Sequence, residues 1–153
     1  MRTNTELYAQ DFYTWTQSTS ALIRAGQWSA LDREALAEEI ESLGKSQHRE
    51  LGSRLDVLLL HLLKWGYQPL ERSGSWRSTI RTQRRELRRL LQQNPGLRPL
   101  VPSAVADGYP DARLDASDET GLPLATFPAT CPWTLEQVLD ADFWPEADIP
   151  GTL

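Results

Sequence analysis

The chain has 153 residues, 40% of them hydrophobic and 24% charged, with a formal net charge of −5. That apolar content excludes a disordered chain, and the length allows a single domain with a sizeable core. One cysteine, Cys131, excludes an internal disulfide, so a reducing, cytoplasmic setting is expected.

The first six residues, Met1 to Glu6, hold no apolar signal core. The longest apolar run, residues 57–63, falls far short of the roughly 20 residues a membrane span needs. Neither export by a signal peptide nor a membrane span is expected. Thr5 to Ala25 reads as one helix, with Tyr8, Phe12, Trp15 and Leu22 on one face and Gly26 as its stop. Asp32 to Gly44 reads as a second helix capped by Asp32, with Leu36, Ile40 and Leu43 as its buried face. Ser46 to Trp65 is a third helical segment, either separate or continuous with the second. Leu51, Leu55, Leu58 and Leu62 form its stripe, and Leu59, Leu60 and Leu63 extend apolarity around most of the circumference. A helix apolar on nearly every side belongs in the centre of a fold.

A fourth helix follows a cap at Ser73 or Ser75 and stops before Pro95. Residues 72–98 carry eight of the chain's fourteen arginines, no lysine and one acid, Glu86. Trp76, Ile80, Leu87, Leu90 and Leu91 share the core face of this helix. Arg77, Arg81, Arg84 and Arg88 form a stripe roughly 90–100° around from it, at the edge of the buried face. Arg85 and Arg89 point into solvent. From Ala104 onward ten acids meet one base, Arg113. Prolines and Gly108 interrupt residues 97–120, of which Ala112 to Glu119 could hold a helix. Gly121 to Pro132 reads as extended chain on the surface. Thr134 to Asp140 is a short helix, with Thr134 and Gln137 in a capping-box spacing. Trp133 and Trp144 are expected to anchor this wrap.

Three groups could carry chemistry. Glu39 lies beside the Leu36–Ile40–Leu43 face and needs a partner if it is buried. His61 interrupts the apolar run of the third segment. It is either a neutral core histidine or one member of a pair with Glu39 or Asp11. Asp11 sits next to the Phe12–Trp15 stripe. With Arg77, Arg81, Arg84 and Arg88 these three make a candidate buried polar cluster, in which the arginine forks pair with Asp11, Glu39 and the acidic C-terminal part. Arg85 and Arg89 are the candidate partner-binding residues. His48, the only other histidine, is thirteen residues from His61, and no metal-ligand spacing occurs, so no metal is expected. No phosphate loop, nucleophile elbow or dinucleotide fingerprint is present, and no cofactor or catalytic set is expected.

Four stretches stand in a distinctive order: Tyr8 to Trp15, Leu36 to Gly44, Leu58 to Trp65 and Ser75 to Arg81. Glu119 to Pro123, Cys131 to Trp133 and Asp142 to Pro145 complete the pattern. In these motifs the chain resembles the bacterial family catalogued as domain of unknown function twenty-nine, common in cyanobacteria. The resemblance implies an α-helical fold and brings no activity, substrate or catalytic residue with it. Residues 99–111 depart from the pattern, because their prolines and Gly108 break a stretch that is otherwise more helical.

The sequence therefore predicts one all-α domain over 1–153. Its bundle of about four main helices spans about 5–94, and a short C-terminal helix with a proline-rich surface wrap spans 97–153. The function expected is non-enzymatic, through contacts with another protein or a second copy of the chain. The alternatives are nucleic-acid binding by the arginine helix 75–93 and a small-ligand or metal site near Asp11, Glu39 and His61.

Overall fold

The computed structural model describes residues 2–146, and among them it is helical without a strand. The predicted first helix is two. Helix α1 (Asn4–Gln10) starts at a capping box between Thr3 and Glu6, and α2 (Phe12–Arg24) follows directly. Asp11 makes the break. Its backbone leaves helical values (φ −149°, ψ 84°), and its carboxylate accepts hydrogen bonds from the Thr14 N–H and hydroxyl. An aspartate that can cap free amides competes with helix continuation, and here it wins over the apolar periodicity that runs through it. Gly26 ends α2 in the left-handed region, at φ 70°, as expected.

Helix α3 (Arg33–Tyr67) joins the second and third predicted segments into one. Asp32 caps it by accepting from the Ala35 N–H. Gly44 lies within it rather than ending it. A helical glycine costs only about 1 kcal/mol relative to alanine, which the flanking turns absorb. Helix α4 (Gly74–Gln93) is capped by Ser73 and stops one residue short of Pro95.

Helix α5 (Val101–Thr120) corrects the interrupted reading of residues 97–120. Pro102 sits in its first turn, where a missing N–H is harmless. Pro110 lies inside the helix without ending it. Gly108 faces α3 closely enough that a Cβ there would meet the end of the exposed Asp56 side chain, which would have to swing aside. Gly121, at φ 73°, closes α5. The predicted capping box of Thr134 and Gln137 starts α6 (Leu135–Leu139).

The chain divides into two compact units, Met1–Ser46 and Gln47–Leu153. The second unit holds a dense core. Leu51, Leu55, Leu58, Leu59, Leu62 and Leu63 of α3 are fully buried against Ile80 and Leu87 of α4, Tyr109 and Ala116 of α5, and Phe127 and Val138. This matches the nearly all-round apolarity of residues 51–63. Among the described residues of the first unit, only Trp15, Thr19 and Ala35 are buried. Asn4 ties that unit together. Its amide donates to the Thr19 hydroxyl, and its carbonyl accepts from the Trp15 indole and the Asp32 N–H.

Gly108→Ala should destabilise the protein by about 0.5–1.5 kcal/mol, the usual cost of pushing a side chain such as Asp56 off its preferred rotamer. Adding Asp56→Ala should recover most of that loss. The Asp56 carboxyl is raised above its ordinary range by loss of hydration and by the charges of Asp111 and Asp115, so removing it sacrifices little. Equal drops in thermal midpoint for the single and double variants would show that Asp56 is not what excludes the methyl.

Candidate functional site

Of the four arginines expected at the core edge, one is buried. Arg84 is 2% exposed, and its guanidinium reaches the last turn of α6 and the chain beyond it. Nε donates to the Val138 carbonyl at 2.9 Å, Nη2 to the Gln137 carbonyl at 3.1 Å and Nη1 to the Phe143 carbonyl at 2.6 Å. The last carbonyls of a helix have no partner within it, and a cation there also meets the negative end of the helix dipole. Arg84 thus acts as a C-terminal cap for α6, supplied from α4. Burial lowers its pKa, and the Asp140 charge opposes that shift.

The remaining arginines sort by what their guanidinium planes meet. Trp65 and Trp144 pack with ring centroids 4.6 Å apart. Arg72 and Arg77 lie over Trp65, and Arg81 and Arg84 over Trp144, at 4.9 to 5.9 Å from the ring centres. Arg72 also donates to the carbonyls of Trp65 and Pro145, and Arg113 to that of Phe127. The expected acceptors were carboxylates. The observed ones are aromatic faces and backbone carbonyls, because an extended wrap presents many carbonyls that no helix satisfies. Trp133 and Trp144 pack against the core, as an anchored wrap requires. Arg85 and Arg89 are exposed and share Glu86, at 3.7 and 3.4 Å. Arg88 is exposed, and among the described residues it has no partner.

The other predicted site residues keep separate company. Asp11 is the cap of α2, its carboxyl held below the ordinary range by hydrogen bonds from the Thr14 hydroxyl and N–H. Glu39 accepts from the Tyr8 hydroxyl at 2.7 Å, and this bond is the main cause that pushes the Tyr8 phenol up to about 12. His61 is half-buried, with Nδ1 2.8 Å from the Val57 carbonyl, the neutral histidine satisfied by one acceptor. Burial lowers its pKa. Among the described residues no three His, Cys, Asp or Glu side chains gather as metal ligands would. The Cys131 thiol is half-buried, and burial pushes its pKa up, away from the thiolate a nucleophile needs.

The first unit carries the feature that periodicity misread. Ile40 and Leu43, expected in the core, are 61% and 68% exposed, and Phe12 is 51% exposed. The unit buries few of its described side chains, and an apolar face with no element packed on it stays open to solvent. With Trp15, Ile23 and Leu36 these side chains line a groove of about 390 Å³ between α2 and residues 33–46. Glu39 is the one charged residue lining it, and it is already bonded to Tyr8. Ile23 escaped the sequence reading because it lies one position from the Leu22 assigned to the stripe.

A family model described as "Domain of unknown function DUF29" matches residues 7–144. The chain belongs to this family. Among curated proteins and solved structures, none matches the chain. The match extends from α1 through the Trp144 that packs on Trp65, so the arginine helix, the tryptophan pair and the wrap as far as residue 144 lie within the DUF29 region. Among the described residues no helix is long and apolar enough to cross a membrane.

Two tests follow from this DUF29 chain's buried polar groups. Arg84→Met should cost about 3–5 kcal/mol, because it leaves three carbonyls without their donor. Arg84→Lys should recover only a small part, since an ammonium cannot reproduce the planar fork. An unchanged thermal midpoint in Arg84→Met would show that the wrap is held by other means. His61, with a folded pKa below its ordinary 6.5, contributes stability that is full above that value and is lost as pH falls through the folded pKa. The stability gap between wild type and His61→Gln should therefore narrow toward acid. A gap constant with pH in denaturant titrations would refute this.

Proposed function

We propose that this chain is a protein-interaction module working through the apolar groove of its first unit, and that the occupant is a second copy of the same face. The observation that carries the reading is the exposure of Phe12, Ile40 and Leu43 along one groove. Scattered single apolar residues on a surface are ordinary, whereas a contiguous apolar strip marks a contact.

Stability argues for a cover. Among its described residues the Met1–Ser46 unit buries three, Trp15, Thr19 and Ala35, and its sequence contains no cysteine. Units of this size draw their stability from disulfides, metals or association. Chemistry argues for a second copy. The groove is lined mainly by Phe12, Trp15, Ile23, Leu36, Ile40 and Leu43, with Glu39 as its one charged member, so another apolar face is its complement. Two such faces related by a two-fold axis would set two helices of each chain together, the arrangement of a four-helix bundle. The reading is of a binding role; no catalytic step is assigned.

Sedimentation of the wild type at micromolar concentration should give a dimer. Ile40→Glu with Leu43→Glu should give a monomer that keeps its helical circular dichroism, because both side chains are already exposed in the single chain. A wild type that stays monomeric, or a double variant that still dimerises, would overturn the reading. In the first case the groove would belong to a different protein.

A further inference from the structure

A second cluster lies in the other unit, and no part of the proposed pairing uses it. Arg84, Arg88 and Arg98 line one depression of about 210 Å³, together with Gln92, Leu91 and Leu139. We propose that this depression binds a single phosphate group, carried by inorganic phosphate or a small phosphomonoester.

The charges are the first argument. Arg84 is buried without an ion pair among the described residues; its three hydrogen bonds go to neutral carbonyls, and Asp140 acts on it only at longer range. A guanidinium has five N–H donors, so the Arg84 fork keeps two beyond those three bonds. Arg88 and Arg98 are exposed and, among the described residues, make no hydrogen bond, ion pair or ring contact. Three cations around one small depression repel one another, and a multiply charged oxyanion removes that repulsion while accepting from planar forks.

Shape and surroundings choose the class of ligand. Leu91 and Leu139 supply apolar walls that thin the water and strengthen charge-assisted hydrogen bonds, and the Gln92 amide can add a further donor. The volume holds one phosphate group with room for a small organic substituent. A nucleic-acid strand needs a continuous row of free cations along its backbone. Here the row is interrupted. Arg85 and Arg89 are engaged by Glu86, while Arg77 and Arg81 lie on the tryptophan rings. Arg88 and Arg98 are thus the two arginines of residues 72–98 without a partner among the described residues.

The test is calorimetric titration of the full chain with inorganic phosphate and, separately, with phosphoserine, at constant ionic strength. Saturable one-site binding is expected for at least one of them, and which one binds identifies the source of the phosphate. Arg88→Gln with Arg98→Gln should weaken binding by roughly tenfold or more, since charge-assisted hydrogen bonds are the strong ones. The variant spares the buried Arg84, so its thermal midpoint without ligand should stay at the wild-type value. Arg85→Gln with Arg89→Gln should bind as the wild type does. Three results would overturn the proposal: no heat at millimolar ligand, equal weakening in both double variants, or tight binding of a single-stranded oligonucleotide abolished by either pair. The second means diffuse attraction to a basic helix, and the third a backbone-binding surface. None of these variants touches Phe12, Ile40 or Leu43, so the outcome is independent of whether the chain pairs through its first unit.

Discussion

The second unit depends on where the Arg84 guanidinium goes. The side chain leaves α4 at the edge of an apolar face, crosses into the interior and meets the carbonyls of Gln137, Val138 and Phe143. Those carbonyls find no donor within their own segment, because α6 is only five residues long and the chain beyond it turns at residues 141–142 and leaves regular structure. A buried carbonyl without a donor and a buried guanidinium without an acceptor are each costly. Brought together they satisfy each other, and Val138 and Phe127 can then close the leucine core of α3. Tyr109, donating to the Pro128 carbonyl, and Arg113, donating to the Phe127 carbonyl, repeat the device along α5.

This device also explains the segregated charge. An acidic C-terminal part following an arginine-rich helix suggests neutralisation by ion pairs, yet backbone carbonyls, tryptophan faces and Glu86 take up most of the arginines. Carbonyl acceptors have an advantage here. Burying a carboxylate beside a guanidinium requires both charges to be dehydrated, whereas a carbonyl requires only one. Acids such as Asp107, Asp111 and Asp115 are left on the exposed side of α5, where water serves them. Arg88 and Arg98 receive none of these partners, which is why the phosphate proposal centres on them.

Local signals in the sequence were legible wherever side chain and backbone had one consistent solution. Ser73, Asp32 and the Thr134–Gln137 box start their helices where spacing predicts, Gly26 stops α2, and the leucines from 51 to 63 are core. The errors arose where two signals competed. At Asp11 an apolar stripe runs through a capping residue, and the cap prevails. At Gly108 and Pro110 composition argues for a loop, but tertiary packing holds α5 helical and uses the missing Cβ to bring it against Asp56. The destination of Arg84 could not be read at all, since its acceptors are backbone atoms more than fifty positions away and carry no residue identity.

Ile40 and Leu43 are a different kind of discrepancy. The period-3.6 pattern correctly placed them on an apolar face with Leu36. What periodicity cannot supply is the layer that covers such a face, because it records a need for burial and not the means of it. In the second unit the same pattern is answered within the chain, by α4, α5 and the wrap. In the first unit Phe12, Ile40 and Leu43 remain open to solvent, although Trp15 and Thr19 beside them are closed. Contiguous apolar side chains that the single chain leaves exposed carry hydrophobic free energy that burial under the proposed partner would release. For that reason the first unit, with the smaller core, is where we place the contact.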